Sequence, residues 1–150
     1  PLRRKSFRAG PLFRALVAQF CENAQEKKCE IALEQSEQSE QAMLCADRAL
    51  LERLLENLLN NSIRHNPGRV SITVRTEAAG GCFCLTVADD GCGYPPAVLA
   101  AMNAPEVCEN APHILGLHVV EQIAIAHGGK AEFAQNIPQG AKAVISLPME

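Results

Sequence analysis

The 150-residue sequence contains no tryptophan and a single tyrosine. Proteins that hold single-stranded nucleic acid stack its bases on aromatic side chains, so a stacking platform is excluded as a first reading. An excess of basic charge is missing too: 14 Lys and Arg against 17 Asp and Glu give a net charge of −3, with the signs scattered. That leaves no electrostatic footprint for a phosphate backbone, and no nucleic-acid partner is expected. No apolar run approaches the roughly 18 residues of a spanning helix, and no signal-peptide pattern is present, so the stretch is expected to be soluble. Cys-x-x-Cys is absent as well. The seven cysteines (21, 29, 45, 82, 84, 92 and 108) are odd in number and lie mostly in apolar stretches. They read as reduced thiols of a cytosolic protein. Cys82 and Cys84 share one face of a strand, which fits packing better than a metal site.

What is present suits one domain with one core, at this length and with 47% hydrophobic residues. Pro1 to Gly10 is basic and unpatterned and reads as a linker remnant, leaving residues 11–150 as the domain. Leu12, Phe13, Leu16, Val17 and Phe20 recur at helical spacing, predicting a helix from Pro11 to about Lys28. Cys29 to Leu33 alternates like a short strand, Glu34 to Gln41 reads as a polar loop or hairpin, and Ala42 to Ala46 is another short apolar run. Asp47 stands at an N-cap position before the strongest helical pattern of the chain, Leu51, Leu54, Leu55, Leu58, Leu59 and Ser62, which Asn66-Pro67-Gly68 ends. Val70 to Arg75 and Cys82 to Ala88 form a hairpin around Gly80-Gly81. Tyr94 to Asn110 is weakly patterned, with a short helical piece near Val98 to Met102, and reads as a mobile segment. Leu115 to His127 is predicted helical, and strands Lys130 to Ala134 and Ala141 to Leu147 close the chain around Gln139-Gly140. The expected class is α+β: a two-layer α/β sandwich, its mixed, mostly antiparallel sheet covered by three helices.

Two separated signals carry chemistry. Asn57 and Asn61 are four apart and project from one face of the helix, where their carboxamide oxygens can ligate a hard cation such as magnesium, whose shell phosphate oxygens and water complete. Arg64 lies three residues further, within reach of a phosphate. The bland alternative is the exposed polar face of an amphipathic helix. Asp89 follows a strand-like run and precedes Gly91 and Gly93; an ionised acid can accept a hydrogen bond from an adenine amino group while the glycines turn the chain beneath the base. Here the bland alternative is turn chemistry, which Asp-Asp-Gly supplies readily. Gly116, at the expected start of a helix, would offer free amides to phosphate. Each signal alone is weak, and their order and spacing together point to a nucleotide site.

With Leu54 to His65, Val87 to Pro95, Leu115 to Gly129 and Gly140 to Pro148 in view, the chain resembles the catalytic and ATP-binding domain of sensor histidine kinases. That domain belongs to the gyrase, chaperone, histidine-kinase and mismatch-repair ATPases, which share the Bergerat fold. The four stretches look like the asparagine box, the first glycine box, the second glycine box with its helix, and the closing strand. The resemblance implies ATP and Mg2+ as cofactors, with Asn61 as the magnesium ligand and Asn57 organising the triphosphate. It places Arg64 and His65 near the phosphates, Asp89 on the adenine amino group, Gly91 and Gly93 around the base, and Leu115, Gly116 and Leu117 at the helix beneath the phosphates. Tyr94 to Ile114 would be the ATP lid. Members that hydrolyse ATP directly carry a glutamate four residues before the magnesium asparagine, as a general base. Asn57 stands there, and Glu56 points roughly 100° away around the helix. The implied reaction is transfer of the γ-phosphoryl group to a histidine, with Asn57, Asn61 and Arg64 as the catalytic set.

The resemblance implies as partners the dimerisation and histidine phosphotransfer domain of the same kinase and a response regulator receiver domain. It also implies a homodimeric full-length protein anchored in the membrane with this domain in the cytoplasm, and a monomeric fragment. None of His65, His113, His118 and His127 reads as an acceptor. The chain departs from the family where Ala111-Pro112-His113-Ile114 replaces several glycines before Leu115-Gly116-Leu117, and where Ala141-Lys142 replaces a Ser or Thr. Two other readings stay open: a degenerate nucleotide-binding domain acting through protein contacts, and a serine kinase of the anti-sigma-factor type.

Overall fold

The computed structural model describes residues 2–23, 29–64, 66–102 and 112–149, with the side chains of 23 and 112–115 outside that description. The elements run β1 (Lys5–Arg8), α1 (Ala9–Asn23), β2 (Cys29–Gln35), α2 (Glu37–Gln41), β3 (Met43–Ala46), α3 (Arg48–Arg64), β4 (Val70–Ala79), β5 (Cys82–Asp89), α4 (Pro96–Met102), α5 (Pro112–Ala126), β6 (Lys130–Gln135) and β7 (Ala141–Pro148). β1 and β3 form a small antiparallel pair, and the main sheet has the order β2-β4-β5-β7-β6. β2 and β4 are parallel and every other pairing in it is antiparallel. The architecture is the expected two-layer α+β sandwich.

Period-two alternation explains which face the helices cover. Val70, Ile72, Val74 and Thr76 on β4, Phe83, Leu85 and Val87 on β5, and Ala143, Ile145 and Leu147 on β7 are all buried, while their neighbours in sequence are wetter. Against this face lie the leucine stripe of α3 (Leu51, Leu54, Leu55, Leu58, Leu59) and the apolar side of α5 (Leu117, Val120, Ile123, Ala124). Phe13 from α1 stacks on Phe83, with ring centroids 5.6 Å apart. Gly80 and Gly81, at φ 58° and 76°, make the tight turn between β4 and β5, a conformation that residues with a Cβ rarely adopt.

A buried histidine fixes the relation of α3 to α5. The Asp47 N–H donates to His127 Nε2 at 3.0 Å, so the ring proton sits on Nδ1, which donates to the Ile123 carbonyl at 2.8 Å. Asp47 also caps α3 by accepting from the Leu50 N–H, and the Arg3 N–H above all holds its carboxyl below the usual range.

The structure departs from the sequence reading at several points: α1 starts at Ala9, inside the stretch read as a linker, and among the described residues there are five helices rather than three. Lys5–Arg8, within the unpatterned stretch, is a strand, because backbone pairing with β3 supplies what side-chain periodicity does not show. The polar stretch read as a loop contains α2, which Ser36 caps by accepting from the Ser39 N–H. Ser39 then buries its hydroxyl against the Thr76 hydroxyl (2.8 Å) and carbonyl (3.0 Å), so a polar segment docks without leaving orphaned groups. Finally, α5 begins at Pro112, three residues before its expected start.

Phe83 is fully buried in the central strand beneath α1. Phe83→Ala is expected to cost about 3–5 kcal/mol in urea unfolding; a loss below about 1 kcal/mol would mean that this packing does not hold the two layers together.

Candidate functional site

β5 ends in a charge on the buried face. Asp89 continues the row Phe83, Leu85, Val87 and is only 3% exposed. Alternation turns its carboxylate towards the helices, where burying it demands hydrogen-bond donors. Three supply them. The Ser62 hydroxyl donates to Oδ2 at 2.7 Å, and the Gly91 and Ala141 N–H groups donate to Oδ1 at 2.9 and 3.1 Å. An ionised carboxylate offers about four acceptor positions, so one stays open. The carboxylate lines a recess too narrow to admit a water molecule as it stands, together with Asn61, Ser62, Asn66, Gly93, Tyr94 and Ala141.

The walls of this recess are tied to one another. Asn66, past the end of α3, donates to the Ser62 carbonyl at 2.6 Å and accepts from the Cys92 N–H at 2.8 Å, linking the helix to the glycine turn. A Cβ on Gly91 would come within 2.0 Å of the Asn66 side chain. Tyr94 is 5% exposed, and burial, with the Asp89 charge after it, pushes its phenol above the ordinary range. A roomier groove, with about 1000 Å³ of empty space, lies at the opposite end of β4, beside Arg75, Thr76 and Glu77, and contains none of the motif residues.

α3 brings Asn57 and Asn61 to one face, about 6 Å apart along the axis, with Asn61 at the recess. Both are half-buried, and no described residue hydrogen-bonds to either carboxamide. Arg64 is exposed in the last turn. Glu56 is exposed, away from the row that Asn57 and Asn61 form. Among the described residues no group of three or more His, Cys, Asp or Glu could hold a metal ion, so a cation here depends on the amide oxygens, a ligand's phosphates and water.

The family description "Histidine kinase-, DNA gyrase B-, and HSP90-like ATPase" matches residues 46–150, which contain every element of this site. The chain belongs to this ATPase family. It is 29% identical over 110 residues to the histidine protein kinase DivJ of Caulobacter vibrioides, and 29% identical over 106 residues to the alginate biosynthesis sensor protein KinB of Pseudomonas aeruginosa. Each alignment takes in 69% of this chain and 18% of the relative, so the chain spans under a fifth of those proteins' length. Its fold is similar to that of the catalytic domain of histidine kinase ThkA: the TM-score is 0.81 at 22% identity, with 98% of this chain and 96% of that one covered.

Within this ATPase domain the second glycine motif lies differently from expectation. Gly116 is inside α5, and the amides left free by helix geometry belong to the first turn, upstream of it. Pro112 suits that start, since proline lacks an amide that would be orphaned anyway. A Cβ on Gly116 would meet nothing within 4 Å, so packing does not require glycine there. Leu117 is buried in the core, and Leu115 contributes its backbone to the first turn of α5. His65 lies outside the described residues, as does the side chain of His113. Of the segment expected as the lid, Tyr94 to Met102 is described and contains α4, while residues 103–111 fall outside.

Three participants escape the motif reading: Ser62, Asn66 and the Ala141 amide. Ser62 carried a signal, as a small polar residue on an otherwise leucine-lined face; Ala141 stood out only for lacking a Ser or Thr side chain, and its contribution is main chain. Ser62→Ala leaves Asp89 Oδ2 without its donor and is expected to cost about 1–3 kcal/mol in urea unfolding. A loss below about 0.5 kcal/mol would show that this oxygen is not held by Ser62 in solution.

Proposed function

We propose that this chain is the ATP-binding catalytic domain of a two-component sensor histidine kinase, donating the γ-phosphoryl group of Mg-ATP to a histidine on a separate dimerisation domain. The observation that carries the reading is the buried Asp89 carboxylate, which has three donors for about four acceptor positions and forms part of the wall of a narrow recess. An adenine amino group has the donor that the remaining position lacks. Gly91 and Gly93 shape the turn beneath the base, and Asn61 extends the recess towards Asn57 along α3.

Magnesium fits the amide oxygens of α3, with Asn61 as the ligand nearest the recess and Asn57 one turn away organising the triphosphate. When bound, it would neutralise charge on the phosphates. Arg64, at the exposed end of the same helix, adds a donor for a phosphate oxygen, with His65 beside it in sequence. The first-turn amides of α5, ahead of Gly116 and Leu117, would offer the positive end of a helix dipole to the phosphates. Position 57 separates phosphotransfer from hydrolysis. A carboxamide cannot take a proton from water, and the neighbouring acid, Glu56, faces elsewhere on the helix. Catalysis therefore rests on positioning and electrostatics, which suits transfer to a partner's imidazole.

The partners under this reading are the dimerisation and histidine phosphotransfer domain of the same protein and a response regulator receiver domain. The full-length protein is a homodimer, with this domain on the cytoplasmic side of a membrane that other parts of the protein would cross. No described helix of this chain is long and apolar enough to cross one.

The test mixes the chain with γ-labelled ATP, magnesium and the dimerisation domain of its own full-length protein. The expected result is acid-labile, base-stable label on that domain's histidine, little label on the chain alone and little free phosphate. Rapid phosphate release by the chain alone, or no label on the partner despite bound ATP, would contradict the reading.

A further inference from the structure

The turn between β6 and β7 makes contacts that the asparagine and glycine motifs do not include. Gln135, the last residue of β6, accepts the Tyr94 N–H at Oε1 (2.9 Å) and donates from Nε2 to the Tyr94 carbonyl (2.6 Å). One bond received and one given to a single residue is what a neighbouring strand supplies in an antiparallel ladder. Here a side chain supplies both to a loop. Two residues earlier on β6, Phe133 meets the Tyr94 ring edge-on, with centroids 6.2 Å apart.

The same turn holds the start of that loop. Asn136 donates to the Asp89 carbonyl at 2.9 Å, and Gln139 donates to the Asp90 carbonyl at 2.7 Å. The backbones approach so closely that a Cβ on Gly140 would fall 1.8 Å from the Asp89 carbonyl oxygen, and one on Gly93 would fall 2.4 Å from Gln135 Oε1. Gly93 and Gly140 also have φ of 81° and 108°, which glycine alone adopts readily. Three carboxamides from one turn therefore grip the main chain from Asp89 to Tyr94.

We propose that Gln135 is a positioning residue for the base pocket, holding Tyr94 and Gly93 where they close the recess beside Asp89. The inference rests on the nucleotide-binding reading above and adds to it a determinant from a different part of the chain. Gln135 does not line the recess; it acts through Tyr94, which does. The loop leaves β5 at Asp89 and is anchored on one side by Asn66 and on the other by this turn. Releasing the Gln135 side lets Tyr94 sample other positions, and a base that binds must then pay for ordering the loop again.

The composition makes the test clean, because Tyr94 is the one tyrosine and there is no tryptophan. Tyrosine emission therefore reports this loop alone. Gln135→Met fills similar space without either hydrogen bond, and Gln135→Glu keeps an acceptor for the Tyr94 N–H while losing the donor to its carbonyl. In both variants acrylamide is expected to quench the emission more strongly, about twofold for Met. ADP affinity by calorimetry is expected to fall about fivefold to tenfold for Met and by less for Glu, beyond what the fall of a few degrees in melting temperature expected from the lost bonds explains. A Gln135→Met variant that matches wild type in quenching and affinity overturns the proposal. So does an affinity loss that only tracks a loss of melting temperature in both variants. A wild-type chain that binds no ADP overturns the nucleotide reading itself and this inference with it, whereas wild-type binding beside an unaffected variant overturns the Gln135 role alone.

Discussion

A carboxylate buried to 3% exposure at the end of the central strand has to be satisfied from three directions at once, and much of the architecture follows from that. Left unpaired, such a charge costs several kcal/mol. Its donors come from α3 (Ser62), from the turn after β5 (Gly91) and from the start of β7 (Ala141). All three elements must therefore sit in one register about Asp89. Slipping β7 by one residue against β5 would move the Ala141 amide away and turn the buried row of β7 outward, so packing and polar satisfaction select the same pairing. Gly140 allows the approach, since any side chain there would collide with the Asp89 carbonyl.

Function in the proposed reading uses what this satisfaction leaves over: one open acceptor position on a carboxylate that cannot move. The rigidity is shared, because Asn66 ties α3 to the glycine turn and Gln135, Asn136 and Gln139 tie the following loop to the β6–β7 turn. At the far end of α3, His127 fixes the helix start through the Asp47 amide. A helix held at both ends presents Asn57 and Asn61 at a constant distance from the base site. That constancy is what phosphoryl transfer by positioning demands.

The fold was legible in the sequence wherever period and punctuation agreed. The leucine stripe from Leu51 to Leu59, bounded by Asp47 and Asn66-Pro67, and the hairpin around Gly80-Gly81 lie where periodicity and turn chemistry put them. β1 and α2 were not legible, because each is held by partners distant in sequence: β3 pairs with the one, and Thr76 receives the buried hydroxyl of the other. The start of α5 was missed because Pro112 reads as a breaker when it opens a helix as well. In the site, side chains at fixed spacing were readable, as with Asn57, Asn61 and Asp89. The contributions of the Ala141 amide and of the amides on the β6–β7 turn were not, since main-chain donors and long-range carboxamide contacts leave no local pattern.

Whether Asp89 receives a donor from the base is tested most directly by comparing ADP with inosine diphosphate by calorimetry on the wild-type chain. The two differ at the six position of the base, where the amino group of adenine is replaced by a carbonyl oxygen. If Asp89 receives that amino group, the inosine ligand sets an acceptor against an acceptor and is expected to bind at least about tenfold more weakly. Equal affinity would contradict the account, because the base would then be bound without using the carboxylate around which the site is built.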